Sequence, residues 1–145
     1  MTEITTAKSR GSGGVLAPGA GAGWALRLLA PLALMAVIFW FSAQPYDGDE
    51  MAWWEVAGRN LGHFLGYAML TAAWAWALPR RLRTRLLLAV AFALAYAASD
   101  EYHQTFVDGR TGTIDDVVID ALGMATAALL IGFQARRSAA GGGDS

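Results

Sequence analysis

Three short rows of polar residues, set in otherwise apolar sequence, carry the groups that could do chemistry. Arg59, His63 and Tyr67 recur every four residues, so on a helix they line one face from its outer end to a depth of about 12 Å at 1.5 Å per residue. Ala97, Asp100, Glu101 and Gln104 fall at i, i+3, i+4 and i+7, so a helix continuing through them projects two carboxylates and an amide to one side. Asp116, Asp120 and Gly123 share a third face, with Asp120 more than one turn inside. Arg110 stands between the second and third rows, and His103 is a second histidine nearby. Arginines suit phosphate, histidine suits acid–base work, and carboxylates serve as bases or metal ligands. The same groups can also hold a charged headgroup without transforming it. No spacing resembles H-E-x-x-H or another defined metal motif, so neither a metal nor a cofactor is expected. The chain has no cysteine, which excludes disulfides, thiolate catalysis and Cys-based metal sites.

The elements that must position these rows are apolar helices. Of the 145 residues, 55% are apolar and only 16% charged, with a mean hydropathy of +0.36. That is too apolar for an ordinary soluble domain and leaves no room for a separate soluble module. Ala25 to Phe41 is a first apolar run, and Phe41-Ser42-Ala43 lacks the small residue expected at the first position of a signal-peptide cleavage site. Leu61 to Leu78 is a second run, closed by Pro79. Leu86 to Ala98 is short for a bilayer unless its helix continues through Thr84 and Arg85 on one side and Ser99 to His103 on the other. Ile114 to Phe133 is the fourth, with Thr113 as its N-cap and Asp115 and Asp116 in the first turn, where the helix dipole favours carboxylates. The expected architecture is all-α: a four-helix transmembrane bundle over residues 24–135, between disordered cytoplasmic tails at 1–23 and 136–145.

Charge fixes the expected orientation. Lys8, Arg10, Arg27, Arg80, Arg81, Arg83, Arg85, Arg136 and Arg137 fall on one side, which is nine of the eleven basic residues. By the positive-inside bias that side, with both termini, is cytoplasmic. The polar rows then lie at the extracytoplasmic end, with Arg59 and Arg110 among a majority of the acidic residues. The net charge of −1 gives no reason to expect nucleic acid as a partner. Gly58, Gly62 and Gly66 form a row beside Arg59, His63 and Tyr67. A repeated G-x-x-x-G predicts a close helix contact there, with Gly123 as a further packing position. Below Tyr67 and Asp120 only Thr71 and Thr126 are polar, so the inner half reads as sealed and a proton or ion path is disfavoured.

Several of these patches together resemble a family. Glu101-Tyr102-His103-Gln104-Thr105-Phe106, then Gly109-Arg110, then Asp116 to Gly123, with Phe41-Ser42-Ala43-Gln44 and His63-Phe64-Leu65-Gly66-Tyr67 earlier, are similar to the signature of VanZ-like membrane proteins. The resemblance covers roughly Phe39 to Phe133 and keeps the patches in order. It implies a small multi-pass protein of the bacterial cytoplasmic membrane, from a family whose namesake is associated with low-level resistance to the glycopeptide teicoplanin. Two functions fit. The first is an envelope protein whose cluster of Arg59, His63, Tyr67, Glu101, Gln104, Arg110, Asp116 and Asp120 binds a membrane lipid, a lipid-linked envelope precursor or an envelope protein. The second is an enzyme acting on a lipid-linked, phosphate-containing substrate at the outer leaflet.

Overall fold

The computed structural model describes residues 20–45, 52–110 and 112–141, and among them every regular element is a helix. They are α1 (Ala20–Arg27), α2 (Leu29–Ser42), α3 (Trp53–Ala77), α4 (Leu82–Gln104) and α5 (Ile114–Gly141). α1 and α2 form one apolar rod broken at Leu28. Pro31 has no N–H for the Arg27 carbonyl and its ring crowds that group, so the ladder shifts: Leu28 N–H bonds Ala25 O and the α-helical pattern resumes with Leu32 N–H on Leu28 O.

Three stretches are long and apolar enough to cross a membrane: Gly23–Ser42, Leu82–Gln104 and Ile114–Gly141. α3 has 25 residues, about 37 Å at 1.5 Å per residue, also enough for a hydrocarbon core of about 30 Å. Its N-terminal half is more polar because it carries Glu55, Arg59, Asn60 and His63. The side chain of Glu55 accepts the Ala52 N–H at 2.8 Å and caps that end, while Pro79 follows its last turn and disfavours continuation.

The third helix extends at both ends as its length required, from Leu82 to Gln104. Thr113 caps α5, its hydroxyl accepting the Asp116 N–H at 3.3 Å. Two boundaries differ from expectation: α1 begins at Ala20, inside the stretch assigned to a tail, and α5 runs on to Gly141, so Arg136 to Gly141 are helical. At α5 the added Arg136, Arg137, Ala139 and Ala140 are good helix formers and extend an already formed helix at little cost. The remainder of both expected tails, and Asp47, Asp49 and Glu50 of the loop before α3, lie outside the described residues.

The bundle is inside-out relative to a soluble protein. Leu129, Leu87 and Trp40 are more than 60% exposed, whereas Asp100, Asp116 and Asp120 are at most 2% exposed. An outer surface of Leu, Phe and Trp around buried carboxylates suits lipid as the solvent. The core joins Tyr67, Leu70, Ala93, Ala97 and Met124, flanked by Met35, Ile38 and Trp74. On α4, Ala89, Ala93 and Ala97 are wholly buried, a four-residue repeat of small side chains along which other helices approach closely. The closest approach is between α3 and α5, at Gly123: a Cβ there would run into the backbone carbonyl of Phe64. α2 is the more loosely attached wall.

Candidate functional site

The polar rows of α3, α4 and α5 converge at one end of the bundle, where the C-terminal end of α2 joins them. Arg59 Nη2 donates to Asp116 Oδ1 at 3.3 Å. One turn deeper, His63 Nδ1 lies 3.0 Å from Asp120 Oδ1. Both pairs follow from the four-residue spacing on each helix: α3 presents Arg59 and His63, α5 presents Asp116 and Asp120, and the parallel contact at Gly123 sets the register between them. Tyr67 stacks on His63 with ring centroids 6.5 Å apart and closes the row at the core.

From α4, Gln104 Nε2 donates to Asp100 Oδ2 at 3.2 Å and to Glu101 Oε1 at 3.3 Å. Glu101 Oε2 accepts the Thr113 N–H at 2.8 Å. The loop can lie this close to α4 because residue 112 is glycine; a Cβ there would collide with the Glu101 carbonyl. Asp100 Oδ2 also accepts the Ser42 hydroxyl at 2.6 Å, which fastens α2 to the cluster. Ser42 and Asp100 were not among the site residues expected from sequence, although Asp100 shares the Glu101–Gln104 face and Ser42 lies in the Phe41–Gln44 patch.

Arg110 serves α2. It does not neutralise Asp116 or Asp120; its Nε and Nη2 donate to the backbone carbonyls of Gln44 at 2.9 Å and Phe41 at 3.0 Å. The Phe41 carbonyl takes only a long turn bond from the Gln44 N–H at 3.4 Å and the Gln44 carbonyl lies just past α2, and a guanidinium at a helix C-terminus suits both the remaining lone pairs and the dipole. Gly109, at φ 74°, makes the turn that delivers it. His103 is separate from the cluster, its ring stacked on Phe39 at 4.6 Å.

The glycine row is also corrected. Among the described residues nothing lies within 4 Å of a Cβ placed at Gly58 or Gly62, and one at Gly66 would meet the Ile38 side chain at ordinary contact distance. Gly58 and Gly62 therefore seat no neighbouring helix among the described residues, and Gly66 meets α2 at ordinary contact distance. They hollow the α3 wall of a groove of about 570 Å³ between α2 and α3. Leu34, Val37, Ile38, Leu65 and Met69 line its length, and Ser42, Arg59, His63 and Arg110 line its polar part. Among the described residues no carboxylate lines it: the buried acids of α4 and α5 stand behind, and the described polar lining is cationic and neutral.

A family model described as VanZ-LLP1: VanZ/LLP1 matches residues 27–134. No curated protein and no solved structure matches the chain.

Proposed function

The chain belongs to the VanZ/LLP1 family, and from that premise we propose that it binds an anionic membrane lipid from the outer leaflet of the bacterial cytoplasmic membrane. The hydrocarbon chain lies in the groove between α2 and α3, and the headgroup meets Arg59 and Arg110. The single observation that carries this reading is the continuity of an apolar groove with an end lined by Arg59 and Arg110 and, among the described residues, by no carboxylate. Such a shape matches an amphiphile with a negative head, and Arg59, with its side chain 32% exposed, retains a face for it. The cluster sits at the end opposite Arg27, which packs over Trp76 near the end of α3 at 5.3 Å. The positive-inside bias then turns the site outward and leaves both termini cytoplasmic. Sequestering or presenting an envelope lipid or lipid-linked precursor there would alter what reaches the cell surface, which accords with the glycopeptide resistance of the family's namesake. A second reading, an enzyme acting on such a lipid, draws on the His63–Asp120 pair bordering the same groove.

The test is a lipid titration of the purified chain, followed by native mass spectrometry, with phosphatidylglycerol against phosphatidylcholine. Retention of the anionic lipid is expected, with about tenfold weaker retention after Arg59→Gln, the loss of one charge-assisted contact. Equal retention of the two lipids by the unaltered chain would remove the proposal. Phosphate release or headgroup loss during incubation would favour the enzyme.

A further inference from the structure

Behind the groove, three helices bring together residues that no linear motif connects. His63 of α3, Glu101 of α4 and Asp116 of α5 each offer a ligand atom, and these atoms lie within 4.8 Å of one another. Donors on opposite sides of an ion bound at about 2.1–2.4 Å stand about 4.2–4.8 Å apart, so the three fit one coordination shell. An acidic cluster can be only that, but here a buried carboxylate oxygen is left over. Asp116 is 1% exposed; its Oδ1 takes Arg59, and its Oδ2 has no hydrogen-bond partner among the described residues. Buried oxygens of this kind are paired or ligate a metal.

Charge points the same way. Asp100, Glu101, Asp116 and Asp120 are all buried at this end of the bundle. The cations paired to them are Arg59 and, when protonated, His63, while Arg110 is committed to backbone carbonyls of α2. A ligating His63 is neutral, so ionised carboxylates here would face only Arg59 among the cations of the described residues, and one divalent ion would cancel most of an excess that a low-dielectric site must otherwise relieve by taking up protons.

We infer that His63, Glu101 and Asp116 bind a divalent transition-type cation, with Mn²⁺ and Zn²⁺ the ions best suited to one imidazole and two carboxylates. Asp120 is a positioning residue. It holds Nδ1 of His63 and so leaves Nε2 to ligate, the carboxylate–histidine–metal arrangement that fixes ring and tautomer. Gln104 and the Thr113 N–H orient Glu101 in the same manner. The inference does not depend on the lipid reading, because it concerns a different ligand and, of its three residues, only His63 lines the groove.

The experiment uses the full chain in detergent, stripped with EDTA and titrated separately with Mn²⁺ and Zn²⁺. Bound metal is counted by mass spectrometry after gel filtration, and the thermal midpoint is followed in parallel. About one ion per chain and a raised midpoint are expected for the unaltered protein. Glu101→Gln and Asp116→Asn should each lose the ion, Asp120→Asn should weaken binding about 10–100-fold, and Asp108→Asn, an exposed carboxylate, should keep it. An unaltered chain that takes up neither ion and melts at the same temperature with and without them would overturn the inference, whatever the variants do. So would an ion retained equally by folded Glu101→Gln and Asp116→Asn, since it would then sit elsewhere.

Discussion

Removing Arg59 should cost more than removing a surface charge, because its partner Asp116 is buried and keeps a second oxygen unpaired. Arg59 is partly exposed and the contact is 3.3 Å long, so Arg59→Ala should destabilise by about 1–3 kcal/mol, below the range for a fully buried pair. Adding Asp116→Asn should recover part of that loss, which a double-mutant cycle on thermal midpoints would measure. Arg110→Ala should behave otherwise. It frees the carbonyls of Phe41 and Gln44, so it should loosen the end of α2, and its effect should add to that of Asp120→Asn rather than be rescued by it. Rescue would mean that Arg110 pairs with Asp120 instead. The faces of α3, α4 and α5 were legible because a helical period needs no neighbour to define it. The choice of partner for Arg110 was not, since it depends on where the end of α2 comes to rest, and residue spacing carries no information about that.

The sequence pattern showed which helices exist and which glycines are suspicious, but not which glycine is in contact. Gly58, Gly62 and Gly66 repeat as a packing motif does, and yet the first two face open space, while Gly123, a single glycine, seats α5 on the Phe64 carbonyl of α3. Whether a small residue admits a helix or hollows a groove depends on how far away the neighbour stands, which one sequence cannot state. Opposite outcomes follow. Gly123→Ala should force α3 and α5 apart and destabilise by about 1–3 kcal/mol or more, through overpacking against backbone that cannot rotate away. Gly62→Leu should leave thermal stability unchanged or higher, since it meets nothing and exchanges a poor helix former for a good one, worth up to about 1 kcal/mol. Midpoints of the two variants in one detergent check both statements. A marked loss at Gly62 with none at Gly123 would reverse the assignment of the two faces.

Across the whole molecule, the apolar outer surface, the polar end and the groove form one arrangement: lipid surrounds the bundle, α2 stands partly off α3, and the gap leads to buried charge. Lipid binding requires an acyl chain in the groove, and Gly62→Leu supplies the control, because it fills the groove without disturbing the packing. The most direct measurement is photo-crosslinking with a phosphatidylglycerol bearing a photoreactive group on its acyl chain, read by peptide mapping of the protein in bilayers. The account predicts labelling concentrated at Val37, Leu65 and Met69 along the groove, reduced at least about tenfold in folded Gly62→Leu, as for the loss of about 1.4 kcal/mol or more of binding. Labelling as strong on Leu129 and Leu130 of the exposed α5 surface, and unchanged by Gly62→Leu, would contradict it and make the groove merely part of the lipid-facing exterior.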